Sequence, residues 1–383
     1  MKFKAYVIFF LLFGVAADFC LCLVVWKSFS VAWKLTLCLP TLATLGCLVL
    51  IAAQVRYSDA VRVFSWLIFL FELPKSVLAL FSVSGQAMGI APHVADGIAV
   101  GAAAAVALFF ATLIFFVSQH LQVNELHLSF RNLPARFDGL RICQLTDIHL
   151  GSYGRTSPYV KRIIRTTCKL APDLILFTGD LVNFETDEAV PYRDELARLT
   201  APLGIFSIRG NHDYLLHGHH DEQERLSDME RLSALETGLG WRLLGNAHAL
   251  LRRGDDTLAV VGVDNISANP FFNKAGGDFA LAMKGLPREL FKILLSHDPS
   301  HWRKEVVPEG SVALTLSGHT HGLRYKLAGR HISHWYLPES AGTYREKEQV
   351  LHVSKGLGSA FAFRMGGFPS IDLITLHRNI PKT

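Results

Sequence analysis

The chain has 383 residues, half of them apolar and 19% charged, with a formal net charge of +5. That length excludes a single small domain. So weak a positive balance, without a long run of like charge, argues against a nucleic-acid partner.

The averages hide two regimes, which meet near Val117 to Gln122. Residues 1–120 carry only seven Lys/Arg and four Asp/Glu, and the rest has ordinary soluble composition. Four apolar stretches, 5–26, 35–53, 63–83 and 97–117, are long enough to cross a bilayer, which takes about 20 residues. The first begins like a signal peptide, but its apolar run continues through Trp26 and reads as a retained helix. Lys2, Lys4, Arg56, Arg62, Arg131 and Arg136 would share one side of the membrane, and Lys27 and Lys34 the other. This bias predicts a multi-pass protein of the cell (inner) membrane with its C-terminal domain in the cytoplasm. Glu72 and Lys75 stand three apart in the third stretch, on one helix face, and read as an internal ion pair beside Pro74.

Residues 121–139 read as a connector. From Leu140 to the end, short apolar runs of strand length alternate with helix-like stretches. The strands are Leu140–Thr146, Asp173–Thr178, Gly204–Ile208, Leu258–Val263, Phe291–Leu295, Val312–Leu316 and Ile371–Leu376. The helices are Pro158–Leu170, Asp187–Leu199 and Asp221–Glu236. Cys143 and Cys168 fall in candidate core positions. With four further cysteines in the apolar part and no CxxC, the set reads as small apolar residues, not a disulfide framework.

In sheets of this kind chemistry gathers in the loops after the strands. Five successive strand ends here deliver Asp147 and His149; Asp180; Asn211, His212 and Asp213; His297; and His319 and His321. Singly each is a weak signal. Together they offer carboxylate, amide and imidazole donors without a thiolate, which suits Mn, Fe or Zn. The donors are too many for one ion and suit two, about 3.5–4 Å apart, a pair that can hold a phosphate and stabilise its in-line displacement.

This series of blocks, in order and spacing, resembles the calcineurin-like metallophosphoesterase superfamily over roughly residues 140–377. The resemblance implies a four-layer αββα sandwich. It implies that Asp147, His149 and His321 hold one ion, that Asn211, His297 and His319 hold the second, and that Asp180 bridges them. His212 would be the catalytic histidine, with Asp213 orienting it. The segments Val353–Gly358, Phe363–Arg364 and Pro369–Leu376 resemble a membrane-associated bacterial subgroup. There the histidine pair is usually followed by Gly-Gly-Gln, whereas this chain has Gly322, Leu323 and Arg324. That leaves the ligands intact and puts the substrate-side wall in question.

Arg324 and Arg364 are candidate phosphate-binding residues. His217, His219 and His220 read as a loop over the site mouth. The sequence thus predicts an N-terminal multi-span α-helical membrane region joined to a metallophosphoesterase domain. The function expected is a two-metal phosphohydrolase at the lipid bilayer, acting on a phosphorylated, lipid-linked small molecule. The alternatives are a nucleotide phosphodiesterase or nuclease, and a non-catalytic membrane scaffold; the full set of ligands weighs against the scaffold.

Overall fold

The computed structural model describes residues 2–26, 30–216, 218, 221–270, 276–322, 326–327, 330–331, 338–361, 363–365 and 367–379. Contacts divide the chain into two units, Met1–Val117 with Phe361–Phe363, and Ser118–Ala360 with Arg364–Thr383.

In the first unit, α1 (Lys2–Phe19) runs into a π-helical stretch, Cys20–Val25, and α2 spans Val31–Ala52. Next, α3 (Tyr57–Leu67), a π-helical stretch Ile68–Glu72 and α4 (Leu73–Ala87) follow one another without a break, and α5 covers Pro92–Ala111. Among the described residues, three helical stretches are long and apolar enough to cross a membrane, Val31–Ala52, Tyr57–Ala87 and Pro92–Gln119, and Phe13–Leu23 is a shorter apolar run in the first helix. Small residues bring α4 and α5 together: a methyl group on Gly85 would lie 2.8 Å from Ala95 Cβ. Backbones approach this closely where Gly and Ala face each other. Hydroxyls inside the helices bond back one turn, Thr44 to the Pro40 carbonyl at 2.8 Å and Ser65 to the Val61 carbonyl at 2.9 Å. These donors are thereby satisfied without water.

The second unit contains two six-stranded sheets. In chain order its first elements are β1 (Gln122–Phe130), β2 (Arg141–Leu145), α6 (Pro158–Leu170), β3 (Leu174–Phe177), α7 (Arg193–Leu196), β4 (Ile205–Ser207), α8 (Glu222–Gly238) and β5 (Arg242–Leu243). Then come β6 (Ala247–Arg253), β7 (Asp256–Gly262), α9 (Phe279–Met283), β8 (Lys292–Leu295), α10 (Val307–Glu309) and β9 (Leu314–Ser317). A two-residue pair, β10 (Lys326–Leu327) and β11 (Arg330–His331), precedes β12 (Gly342–Glu346), β13 (Gln349–Val353) and β14 (Ser370–Arg378). The strand orders are β1-β14-β2-β3-β4-β5 and β12-β13-β9-β8-β7-β6.

Alternation of side chains across each strand sorts the core. On β3, Leu174 and Leu176 join a cluster with Val260, Ile293 and Leu316 of the other sheet. Ile175 and Phe177 face the opposite way, against Val160 and Ile164 of α6 and Leu232 of α8. The second sheet repeats the pattern, with Val261, Leu294 and Leu351 against Phe279 and Trp302. The strands β2, β3 and β4 are mutually parallel, as are β7, β8 and β9, so each set sends its carboxyl ends one way.

Residues 121–139, read as a connector, contain the nine-residue β1, which pairs in parallel with β14 along its length. Its pattern of half-buried residues is weaker than that of the central strands. The helix expected at Asp187–Leu199 is two 3-10 turns and the four-residue α7. Pro191 removes a backbone donor inside that stretch. Cys143 is buried as expected, but Cys168 is exposed on α6.

Glu236, on α8, is fully buried and accepts a hydrogen bond from Ser207 Oγ. Burial pushes its carboxyl up from 4.5 to about 8, against the pull of that hydrogen bond. The folded chain therefore holds this proton more tightly than the unfolded one. The stabilisation is complete below about pH 4.5 and is lost as pH rises towards 8. Glu236→Gln is expected to flatten the fall in melting temperature across that window; parallel curves for variant and wild type would contradict the assignment.

Candidate metal centre

The five loops meet at the carboxyl ends of β2, β3, β4, β8 and β9. Their backbones are held in an uncommon state. Among the described residues eleven non-glycine positions have positive φ, and five of them are Asp147, His149, Asp180, His319 and His321, at 49° to 69°. The left-handed region costs an ordinary residue roughly 1–2 kcal/mol, and such strain collects where surrounding structure over-determines it.

Here the constraint is visible. The loops lock to one another: Asp147 N–H donates to Gly179 O at 2.9 Å, Leu357 N–H to Thr146 O at 3.0 Å, and Gly318 N–H to His297 O at 2.9 Å. Two glycines make room for the carboxylates. A methyl group on Gly210 would sit 2.1 Å from Asp180 Oδ1, and one on Gly318 would sit 2.3 Å from Asp147 Oδ2.

Asp180 lies at the centre. Its Oδ2 is 3.1 Å from His297 Nε2 and 3.5 Å from His149 Nε2. Its Oδ1 accepts from the His212 backbone N–H at 2.9 Å. Asp147 Oδ1 is 3.9 Å from His149 Nε2 and 3.8 Å from His321 Nε2. Among the described residues three overlapping groups have ligand atoms within 4.8 Å of one another: Asp147, His149 and His321; Asp147, Asp180 and His297; His149, Asp180 and His212. Asp147, His149, Asp180 and His297 are buried, while Asn211, His212, His319 and His321 are half-buried, so the cluster has a solvent-facing side.

The donor set fits divalent ions on an observation independent of its composition. His149 Nε2 and Asn211 Oδ1 are buried and have no hydrogen-bond partner, and His297 Nε2 meets only the Asp180 carboxylate, at 3.1 Å. Buried polar atoms are seldom left so. The opposite nitrogens are taken: His149 Nδ1 is 2.8 Å from Asn183 Oδ1, and His297 Nδ1 is 2.7 Å from the Thr178 carbonyl. Such contacts fix the ring and leave Nε2 to face a metal. Burial pushes His149 down to about 3, against the attraction of Asp180, and pushes His319 and His321 down as well. Neutral imidazoles are what a cation needs. Burial opposes charge on Asp180 and His297 too, but their mutual attraction wins. Asp180 falls well below the carboxylate range and His297 rises to about 10. A proton on His297 would have to give way to a divalent ion held there.

His212 and Asp213 lie next to each other in the chain but do different things. The His212 ring is set by its Nδ1, 2.9 Å from the Asn183 carbonyl. Asp213 turns away from that ring. Its carboxylate accepts from the backbone N–H groups of Asp180 (2.7 Å), Leu181 (2.9 Å), Gly210 (2.9 Å) and Val182 (3.3 Å). Burial and the charge of Asp180 push it up to about 6, and those N–H groups pull it back. It clamps the Asp180 loop to the Asn211 loop; the orienting partner of His212 is Asn183.

Arg364 is 2% exposed, and its guanidinium donates to backbone carbonyls of Gly358, Lys355, His321 (3.5 Å) and Gly367 (3.4 Å). It ties the His321 loop to the 355–358 loop. Arg324, His217, His219 and His220 lie outside the described residues.

Three contributors escaped the sequence. Asn183 positions both His149 and His212. Glu188 accepts from the N–H groups of Gly151, Asn183 and Phe184 and so anchors Asn183. Asp298 Oδ2 lies 3.6 Å from His319 Nε2. Of these only Asp298 carried a signal, as the carboxylate directly after His297.

The sequence profile of the calcineurin-like phosphoesterase domain matches residues 140–323. A Bacillus subtilis metallophosphoesterase, YkuE, is 32% identical over 255 residues, 64% of this chain and 81% of that one. A zebrafish (Danio rerio) transmembrane protein with metallophosphoesterase domain is 29% identical over 248 residues, 63% of this chain and 54% of that one. The match thus spans about half the length of that relative. The UDP-2,3-diacylglucosamine pyrophosphatase of Chlamydia trachomatis is 26% identical over 314 residues, 67% of this chain and 91% of that one.

Asp213→Ala would leave four buried N–H groups unpaired. The expected cost is on the order of 3 kcal/mol in denaturant unfolding. An unchanged unfolding midpoint would show that the clamp is not needed.

Proposed function

The chain belongs to the metallophosphoesterase family, and on that premise we propose that it is a membrane-anchored phosphohydrolase using two divalent ions. The observation that carries this reading is the set of buried ring nitrogens turned toward the shared Asp180 carboxylate. Asp147, His149 and His321 would hold one ion, Asn211, His297 and His319 the other, and Asp180 would serve both. Mn, Fe and Zn all suit these donors. When bound, such a pair activates water near neutral pH and neutralises charge that builds on a transferring phosphoryl group.

The chain's own residues supply the rest. Asn183 fixes Nδ1 of His212, which leaves Nε2 to give a proton to the leaving oxygen or to steady its charge. The αL backbone at the ligand positions fixes donor directions before the substrate arrives, so little reorganisation is needed. Arg364 holds the His321 loop through carbonyl contacts, a positioning role. Arg324 remains the candidate for a phosphate clamp.

The two clusters on the outer faces of the sheets and the one between them support a four-layer αββα sandwich. The apolar helices support a multi-pass protein of the inner membrane, and the distribution of basic residues supports a catalytic unit on the cytoplasmic side. The substrate class is a phosphoester or pyrophosphate of a lipid-linked molecule. It is supported by the membrane helices and by the likeness to a diacylglucosamine pyrophosphatase.

Asp180→Asn is expected to abolish metal-dependent hydrolysis of bis-p-nitrophenyl phosphate by the purified full chain while melting temperature holds. Full activity in that variant would sink the two-metal reading. His212→Ala should lower kcat by roughly 10²–10⁴ with bound metal unchanged.

A further inference from the structure

The membrane unit pairs Lys75, Glu72 and Asp18 inside and turns aromatic rings outward. Lys75 Nζ lies 2.8 Å from Glu72 Oε2 and 2.7 Å from Asp18 Oδ1, on α1, and donates to Thr41 Oγ1, on α2, at 2.5 Å. The ion pair expected from the sequence is thus part of a larger buried cluster. Phe109 and Phe115, by contrast, are 52% and 54% exposed along one helical stretch.

One part of this aromatic surface comes from far along the chain. Phe361–Phe363 group with the membrane unit, although the chain on either side of them belongs to the second unit. The Phe363 ring meets Phe69 edge-on, 4.7 Å between centroids, and Phe110 at 5.2 Å, and those two rings are 4.9 Å apart. Edge-to-face pairs at such spacing are favourable contacts. Phe69 lies in the π-helical Ile68–Glu72 and Phe110 near the end of α5. Each therefore belongs to a helical stretch long and apolar enough to cross a membrane.

The backbone of the segment does not follow its rings inward. The Arg364 N–H donates to Ser118 Oγ at 2.9 Å, at the last turn of the helical stretch Pro92–Gln119. Phe110 stands two turns earlier on that stretch, about 12 Å along the axis at about 1.5 Å per residue. The chain leaving Phe363 is thus held where the apolar stretch ends, while the Phe363 ring reaches past it. That division suits a bilayer. An irregular backbone carries polar groups that hydrocarbon cannot satisfy, whereas a phenyl ring is at home there. Ser359–Phe363 carries no charged residue, and Phe361 is 70% exposed. On a unit of membrane-crossing helices, acyl chains are the surroundings that such a ring prefers.

We propose that Phe361 and Phe363 form a lipid-inserted anchor. Phe363 seats on Phe69 and Phe110, and Phe361 enters the acyl chains of the bilayer. The partner is the hydrocarbon of a phospholipid leaflet, with no headgroup selected. Arg364, the next residue, donates to the His321, Gly358 and Lys355 carbonyls, so the anchor and the tie on the His321 loop are consecutive in the chain. The inference rests on the membrane unit and is independent of the phosphohydrolase reading.

Two probes of the full chain in phosphatidylcholine nanodiscs test it. Replacing Phe361 by p-cyanophenylalanine reads the surroundings, because a nitrile stretches at lower frequency in hydrocarbon than in water. The band should lie below that of the free amino acid in water. Replacing Phe361 by p-benzoylphenylalanine reads the partner, because the irradiated ketone inserts into nearby C–H bonds. The peptide carrying position 361 should gain the mass of a phospholipid. Both replacements keep an aromatic ring at an exposed position, so the fold should stand. A nitrile band at the water frequency, or the lack of a lipid adduct, would overturn the proposal. Photoproducts joined only to protein would overturn it too, and would make a protein surface the partner.

Discussion

The Asp180 carboxylate is the group on which the site depends. One oxygen stands between His149 and His297, which come from the ends of strands in two different sheets. The other is occupied by the His212 backbone N–H. A buried carboxylate survives as an anion only when it is paired and hydrogen-bonded. Here the surrounding histidines and the His212 backbone N–H supply that pairing. Asp213 holds the loop that carries Asp180 through three backbone donors and ties it to its own loop through Gly210 N–H. The αL conformations at Asp147, His149, Asp180, His319 and His321 follow from the same demand. The strands end before the site, and the loops must turn sharply to aim their side chains back into it.

Much of this was legible in the sequence, because the ligand residues follow short apolar runs at positions fixed by strand ends. A parallel strand buried on both faces announces itself by composition, and the polar residue after it marks where the chain emerges. The positioning groups were less legible. Asn183 and Glu188 act through loop geometry, and neither residue type nor spacing points to it. Asp213 was legible as a site residue but not in its role, because sequence adjacency to His212 conceals that their side chains diverge. Strand β1 was missed because only alternate residues face inward, with little apolar contrast. The 187–199 stretch has helical composition, yet Pro191 limits it to short turns.

The membrane unit presents the same physics in apolar surroundings. Backbone donors and acceptors are satisfied within helices, small residues at Gly85, Ala95 and Ala99 allow close packing, and hydroxyls bond back one turn. Against that background Asp18, Glu72 and Lys75 stand out because charge must be compensated within contact distance. The sequence exposed Glu72 and Lys75 through their helical spacing. Asp18 and Thr41 lie on other helices, and only the packing of α1, α2 and α4 brings them in.

Metal stoichiometry tests the central claim most directly. The full chain, saturated with Mn and freed of excess by gel filtration, should retain about two ions per polypeptide by mass spectrometry of the metal, and His297→Ala should retain about one. A wild type that holds a single ion under these conditions, or a His297→Ala chain that still holds two, would contradict the shared-carboxylate account.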